Sequence, residues 1–542
     1  MNRFFNQLEN VVTEAIDGTL RLAGAKNIAR ANGFPHKKFV ARTDRDKSKV
    51  AIISGGGAGH EPAHIGFVGK GMLTAAVSGE VFASPSTEAV LACIMHVTEE
   101  AGCLLIVTNY TGDRLNFGLA AERAKKLGKK VEMVIVADDI ALPDAPQPRG
   151  IAGTLFVHKI AGYWSEAGAT LEEIKLKATA AAQNCYSLGI ASSTCTTPGN
   201  KIETTNSKAE LGLGIHGEPG IESISFDYGK EAVDMVLARL FKSAEAEAEY
   251  ALLINNLGAV TPLEMSIITN EILTSDYKHK IKLVLGPALF MTSLNMYGFS
   301  LSIIKLNDEI ETILKAPVEP YLWPGIAVPV EPSIFEINEN TDRLIYKGSE
   351  NTEVHLLLKK ICEAIIQAER NLNELDKKVG DGDTGTTLSA GANALLKLLN
   401  QNKLPLNNKA ELLLVAGEVL ADSMGGSSGV LSSIFLTNAG TTMLAGANIA
   451  DALESGIKMM MQYGGASLGS RTMIDALYPA IEALKNSSMN EAAAAAREGA
   501  NKTTGMTKAN AGRSSYLRKE SLIGVTDPGA EAVAIIFESL VK

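Results

Sequence analysis

Lys49-Val50-Ala51-Ile52-Ile53-Ser54 runs directly into Gly55-Gly56-Gly57-Ala58-Gly59-His60-Glu61-Pro62. The first six residues have the composition of a short buried strand. The glycines that follow leave backbone amides bare, and they predict a tight turn into a helix, a geometry that lets a phosphate or small ligand approach the chain. A plain turn at a sheet edge fits the same letters. No G-x-x-x-x-G-K-[S/T] occurs in the chain, and His60 stands where a dinucleotide fingerprint needs its third glycine. Residues 1–45, ahead of this stretch, read as helical and basic–polar.

Further apolar runs follow at Leu104-Leu105-Ile106-Val107 and Met133-Val134-Ile135-Val136, with a helix-like stretch over 114–128 between them. Strands alternating with helices predict a mostly parallel, buried sheet. The Ser-, Thr-, Asn- and Pro-rich segment 185–210 reads as a surface connection into a second α/β unit. That unit carries Ala251-Leu252-Leu253-Ile254, Ile281-Lys282-Leu283-Val284-Leu285 and Leu301-Ser302-Ile303-Ile304. Pro317, Pro320, Pro324, Pro329 and Pro332 then mark an extended linker. Beyond residue 353 the period becomes helical, as in Val354, Leu357, Leu358, Ile361, Ile365 and Ile366. Helices are predicted near 386–400, 408–423, 427–446, 449–462, 472–486, 489–501 and 528–541. The expected organisation is a two-lobed α/β region, with lobes over 1–185 and 186–330, a linker over 331–352 and an all-helical domain over 353–542.

A chain of 542 residues is long enough for two to four domains. Its net charge of -10 argues against nucleic acid or an anionic membrane surface as partner. The five cysteines, Cys93, Cys103, Cys185, Cys195 and Cys362, show no C-x-x-C spacing and read as reduced thiols. The N-terminus has no signal-peptide apolar core, and no run of eighteen apolar residues occurs, so the expected location is cytoplasmic, with no membrane partner.

Besides the glycine stretch at 55–62, four stretches could carry chemistry, and a turn near the end adds nothing by itself. In Gly212-Leu213-Gly214-Ile215-His216-Gly217-Glu218-Pro219-Gly220 a histidine is flanked by glycines and open to a small molecule; base, hydrogen-bond donor and nucleophile all fit it, as does a structural histidine. Asn109-Tyr110-Thr111-Gly112-Asp113 follows a strand, where open α/β sheets place ligands, so Asp113 is a candidate substrate carboxylate or base, or a helix cap. The loop from Asp376 through Asp381 and Asp383 to Thr387 packs three carboxylates into eight residues with glycines between, a pattern suited to a hard divalent cation. It is not an EF-hand, because Gly385 and Ala392 occupy ligand positions. Gly425-Gly426-Ser427-Ser428-Gly429 opens a helix, where bare amides suit phosphate or close packing. Asp527-Pro528-Gly529-Ala530 reads as a turn into the last helix.

Together with Gly55-Gly56-Gly57-Ala58-Gly59-His60-Glu61-Pro62, these stretches, taken in chain order, resemble the dihydroxyacetone kinase family in its single-chain, ATP-dependent form, over essentially the whole length. The resemblance implies a two-lobed α/β substrate region followed by an all-α helical barrel that binds nucleotide. It implies phosphorylation of dihydroxyacetone, or of a close short-chain hydroxyketone or glyceraldehyde, with the substrate held covalently on His216. Asp113 would take the proton of the attacking hydroxyl. His60 would hydrogen-bond the substrate and help polarise it, with Gly57, Ala58, Gly59 and Thr108 around it. Asp376, Asp381 and Asp383 would hold two Mg2+ ions on the phosphates of ATP. Thr384, Gly385, Thr386, Thr387, Ser427, Ser428, Gly465, Met473, Arg513, Asp527, Pro528 and Gly529 would line the nucleotide. It also implies a homodimer, in which the helical domain of one chain can serve the substrate domain of the other, and in some members FAD cleavage to cyclic FMN. Three departures stand out: Thr108 where the family has Lys, Ala58 where it has Ser, and a segment over 464–471 without the usual acidic residues. Two alternatives are a kinase for a longer ketose such as erythrulose, to which Thr108 would give space, and a non-catalytic hydroxyketone-binding regulator.

Overall fold

The computed structural model describes residues 4–22, 26–33, 36–142, 147–200, 208–337 and 346–541. The chain divides into two compact units, Met1–Ser333 and Ile334–Lys542. No helix among the described residues is long and apolar enough to cross a membrane. Cys93, Cys103, Cys185 and Cys362 are buried free thiols, and Cys195 is half-buried.

The first unit contains two sheets. The six-stranded sheet has the spatial order Ile28–Arg30, Phe39–Arg42, Ala75–Val81, Ala51–Ala58, Cys103–Thr108, Val131–Val136. Its last four strands pair in parallel, and its first two pair antiparallel at one edge. Those two edge strands lie within residues 1–45, where Val11–Leu20 is the only α-helix among the described residues, so the helical expectation there is corrected. Ile52 packs into a core with Leu104, Phe156 and Ile160, while its neighbour Ile53 packs on the opposite face with Leu105, Val90 and Phe117. Burial on both faces is why these strands read as unbroken apolar runs.

The glycine-rich stretch differs from its sequence reading. Gly55 to Gly57 belong to the strand Ala51–Ala58, and a short 3-10 turn at Ile65–Phe67 follows instead of an α-helix. A Cβ on Gly55 would lie 2.2 Å from the Val77 carbonyl oxygen, and one on Gly57 would lie 2.8 Å from the Ala83 nitrogen. The glycines therefore admit a neighbouring backbone.

The seven-stranded sheet runs Ile326–Ala327, Ile281–Ala288, Tyr250–Asn256, Gly298–Lys305, Cys185–Ala191, Ala209–Leu211, Glu222–Ile224. Only Tyr250–Asn256 and Ile281–Ala288 pair in parallel; the other pairings are antiparallel. The strand Cys185–Ala191 occupies what the sequence presents as a surface connection. Its polar Ser187 is buried because the hydroxyl donates to the Asp138 carboxylate and lies 2.6 Å from Ser302 Oγ.

The second unit is built of helices: Thr352–Val379, Thr384–Asn400, Lys409–Ser423, Gly426–Leu444, Ile449–Gly464, Ile474–Asn486, Met489–Lys502 and Pro528–Ser539, with a short Lys519–Leu522. The seven helices anticipated from residue 386 onward fall within two residues of their expected ends. Alanine-rich faces such as Ala476, Ala480, Ala492, Ala496, Ala530 and Ala534 pack together, allowing the helix axes to approach closely.

Candidate active site

His216 lies just beyond the strand Ala209–Leu211. A turn holds it, with Gly214 N–H donating to the Glu218 carbonyl at 3.0 Å and Gly217 N–H to the Gly214 carbonyl at 3.0 Å. A Cβ on Gly214 would stand 2.0 Å from Glu218 Oε2 and 2.7 Å from Arg149 Nη1. Glycine there lets the Glu218 carboxylate fold back over the turn. That carboxylate accepts the His216 backbone N–H at 3.0 Å and faces His216 Nδ1 at 3.0 Å. Burial opposes the charge on Glu218, but the hydrogen bonds it accepts from His216 outweigh burial and hold the carboxyl at about 2. An ionised carboxylate only accepts, so Nδ1 carries the proton and Nε2 keeps its lone pair. Behind Glu218, Arg149 donates to Asp139 at 2.7 Å and to the Gly212 carbonyl at 2.6 Å.

Three other segments reach this ring. The His60 ring meets it edge-on, with centroids 4.9 Å apart, and stacks on Phe82 at 5.1 Å. His60 Nδ1 lies 2.8 Å from the Thr292 carbonyl and must donate, which leaves Nε2 as a lone pair, buried and without a partner among the described residues. Burial, with His216 nearby, pushes the His60 pKa down to about 3. Gly57 and Ala58 end the glycine-rich strand, and Gly59, at φ +99°, turns the chain so that His60 faces inward; a side chain there would strike the Phe82 ring at 2.8 Å. Asp113 sits in the first turn of the helix Thr111–Lys126, directly after the strand Cys103–Thr108, and Tyr110 rather than Asp113 holds the cap position. Asp113 Oδ2 accepts from the Thr108 hydroxyl at 3.3 Å, and Oδ1 is buried without a partner among the described residues. Burial raises the Asp113 pKa, tempered by hydrogen bonds from Ser84 and Thr108. The Tyr110 ring stands edge-on to His216 at 4.6 Å, and its hydroxyl is also buried and unpartnered among the described residues.

Buried polar groups without partners are rare, and each calls for an explanation. Here His60 Nε2, Asp113 Oδ1 and the Tyr110 hydroxyl belong to segments gathered around one histidine. The arrangement suits a small polar molecule with two or more hydrogen-bonding atoms. Glu218, Tyr110 and Phe82 are the residues whose place in this site the sequence reading missed. Glu218 had a signal in its spacing two residues after the histidine. Phe82, held at φ 57°, had none.

In the second unit Asp376 occupies the last turn of Thr352–Val379, and Asp381 and Asp383 lie in the turn before Thr384–Asn400. One carboxylate oxygen from each comes within 4.8 Å of the others. Asp376 Oδ2 accepts the N–H groups of Gly382 at 3.0 Å, Asp383 at 3.0 Å and Thr384 at 3.2 Å. A Cβ on Gly380 would lie 2.2 Å from Asp376 Oδ1, so glycine permits the loop to close on that carboxylate. Arg513 pairs with Asp381, and Ser514 Oγ donates to the Val379 carbonyl at 3.0 Å. A guanidinium drawn to a triad of carboxylates indicates that the site suits positive charge, and its all-oxygen donor set fits Mg2+.

Thr384, Gly385, Thr386 and Thr387 form the first turn of the next helix, where Thr386 N–H donates to Asn373 Oδ1 at 3.1 Å. Gly465 closes the helix Ile449–Gly464 in a left-handed conformation. Met473 caps Ile474–Asn486, and a Cβ on Gly529 would lie 3.2 Å from Met473 Cβ, so these two segments touch. Asp527 caps the final helix by accepting Ala530 N–H at 2.9 Å, with Pro528 in its first turn. Ser427 and Ser428 begin the helix Gly426–Leu444, and no hydrogen bond among the described residues joins them to the aspartate loop.

The Dak1 domain family matches residues 23–321, and the DAK2 domain family matches residues 378–542. The dihydroxyacetone kinase of Citrobacter freundii is 48% identical over 544 residues, covering 99% of each chain. The triokinase/FMN cyclase of Homo sapiens is 36% identical, covering 93% of each. The crystal structure of the dihydroxyacetone kinase from C. freundii in complex with AMP-PNP and Mg2+ aligns with a TM-score of 0.79 at 46% identity, covering 99% of each chain. On these matches the chain belongs to the dihydroxyacetone kinase family.

Proposed function

We propose that this chain is an ATP-dependent kinase that phosphorylates dihydroxyacetone, or a close short-chain hydroxyketone or glyceraldehyde, held covalently on His216. The observation that carries the reading is the locked tautomer of His216. With Glu218 accepting from Nδ1, the Nε2 lone pair is free to add to a carbonyl carbon. The new C–N bond forms as the C=O π pair moves to oxygen. That oxygen takes a proton from solvent to become a hemiaminal hydroxyl, the ring is left with the positive charge, and Glu218, accepting from Nδ1–H, stabilises it.

The remaining hydroxyls of a captured three-carbon molecule need acceptors. His60 is neutral with its Nε2 lone pair directed inward, so it accepts from a substrate hydroxyl rather than polarising the carbonyl as a donor. Asp113 accepts the proton of the hydroxyl that attacks the γ-phosphate, with Thr108 and Ser84 setting its basicity. Gly57, Ala58 and Gly59 wall the pocket with backbone. A covalent tether supplies the orientation that few contacts to so small a molecule could provide.

Asp376, Asp381 and Asp383 would hold Mg2+, two ions by resemblance, and the metal would neutralise phosphate charge, which is the main demand of phosphoryl transfer. Thr384 to Thr387, Ser427, Ser428, Gly465, Met473, Arg513 and Asp527 to Gly529 would line the nucleotide. We assign the lobes to 1–185 and 186–330, the linker to 331–352 and the nucleotide domain to 353–542. We further propose a cytoplasmic homodimer, checked by light scattering of the purified protein.

Thr108 is buried and commits its hydroxyl to Asp113, so the longer-ketose reading gains no support from open space. Retention of three converging aspartates favours catalysis over a regulator. The test is ADP formation with dihydroxyacetone and Mg-ATP, beside His216→Ala. Turnover by the variant at the parent rate refutes the covalent role.

A further inference from the structure

Arg471 is among the largest fully buried side chains of the described residues, and the proposed function gives it no task. Its backbone is held at φ 60°, in the left-handed region that disfavours side chains. Its Nη2 donates to the Val525 carbonyl at 2.7 Å and lies 3.5 Å from that of Leu522. Its Nη1 stands 3.9 Å from Asp527 Oδ2. Its Nε and Nη1 have no hydrogen-bond partner among the described residues. A buried guanidinium with unmet donors is an expensive way to fill space, and an apolar side chain of similar volume often stabilises such a position. Expense of this kind, combined with backbone strain, marks a site kept for function.

Its position indicates which function. Arg471 lies at the end of the turn 465–473, two residues before Met473. Asp475 pins the same turn by accepting Gly469 N–H at 2.5 Å and Thr472 N–H at 2.8 Å. The far end of Arg471 reaches the chain that leads into the Asp527 cap. It therefore joins the two segments that meet where Met473 lies against Gly529. Burial raises the Asp527 pKa to about 6, and the Ala530 backbone hydrogen bond and, after it, the Arg471 charge oppose that rise.

We propose that Arg471 is a positioning residue for the nucleotide: it fixes the turn 465–473 against the Asp527–Gly529 helix start, so that the two form one binding surface. The proposal rests on the nucleotide reading of those two segments.

The test uses the full-length protein with Arg471→Met and Arg471→Lys. AMP-PNP with Mg2+ is titrated calorimetrically, thermal unfolding is recorded, and KM for dihydroxyacetone is measured. Arg471→Met is expected to unfold at or above the parent temperature, yet to raise the dissociation constant for AMP-PNP at least tenfold. Arg471→Lys, which keeps the charge but not the two-pronged donor, should recover part of that loss. KM for dihydroxyacetone should stay within twofold. Nucleotide affinity of Arg471→Met within twofold of the parent overturns the proposal. So does loss of folding in both variants, which makes Arg471 a stability element. A parent protein that fails to bind AMP-PNP would instead refute the kinase reading itself.

Discussion

Glu218→Gln replaces one carboxylate oxygen with an amide of the same shape. In the parent, both oxygens accept from His216, one from the backbone N–H and one from Nδ1, each at 3.0 Å. Lowering the carboxyl from 4.5 to about 2 would, unscreened, correspond to roughly 3 kcal/mol. The Glu218 side chain is 37% exposed, so screening by water leaves about half, ~1.5 kcal/mol. That term is stability of the folded state, present above the pKa of the unfolded carboxyl, and Glu218→Gln gives it up. A second effect falls on the chemistry. The amide has one accepting oxygen for two donors, so the ring is driven to the other tautomer, with hydrogen on Nε2 and no lone pair for the ketone. Where a carboxylate-to-amide swap inverts a catalytic histidine in this way, the loss reaches ~10⁴. We expect a fall of about 10² in kcat/KM for dihydroxyacetone, an unchanged AMP-PNP affinity and a melting temperature lowered by a few degrees at most. The assay is coupled ADP release at saturating Mg-ATP, with the hydroxyketone adduct followed by intact mass. A loss of less than threefold, with the adduct forming as in the parent, would refute the tautomer argument.

Gly214→Ala tests the same contact from the other side, since its methyl would lie 2.0 Å from Glu218 Oε2; overpacking should cost about 1–3 kcal/mol of stability and activity should fall although Glu218 is intact. Thr108→Val removes a hydrogen bond that favours ionised Asp113, whose pKa burial has already raised. The base works only when ionised, so activity falls as pH drops through its pKa, and the variant's acid limb should shift upward by roughly 0.5–1 pH unit; an unmoved limb means that Asp113 is not the base. Asp376→Asn reduces charge in the triad and weakens acceptance from Gly382, Asp383 and Thr384; Mn2+ binding in the absence of substrate should weaken at least tenfold, read by paramagnetic resonance. Arg513→Met frees Asp381 from its ion pair and should tighten that same Mn2+ binding in nucleotide-free protein, while Mg-ATP binding weakens; tighter binding of both would remove Arg513 from the nucleotide site.

The helical unit was legible because its signal is local. Leucine and alanine recur at helical spacing, and caps such as Asn408, Asn448 and Ser488 act on amides two or three residues away. Strand direction was not legible, because pairing partners lie far apart in the chain. Nothing in Cys185–Ala191 announces that it will lie antiparallel to Gly298–Lys305, and Ser187 reads as loop until Asp138 and Ser302 are placed beside it. The glycines at 55–57 misled for a related reason. Glycine serves a turn and a crowded strand equally well, and only the Val77 carbonyl decides between them. In the site, the individual letters His60, Asp113 and His216 stood out. Their grouping with Phe82 and Tyr110 did not, because no periodicity links positions so far apart in the chain.

His60, Phe82, Tyr110, Asp113 and Glu218, the side chains described around His216, belong to the first unit. Capture of the hydroxyketone would then be complete before any nucleotide arrives, and it would draw on no energy from ATP. If His216 captures the carbonyl as proposed, each copy would hold one hydroxyketone out of reach of free amines when ATP runs short and would release it by simple reversal. The protein's abundance, rather than its turnover rate, would then set how much of that metabolite the cell can keep in safe custody.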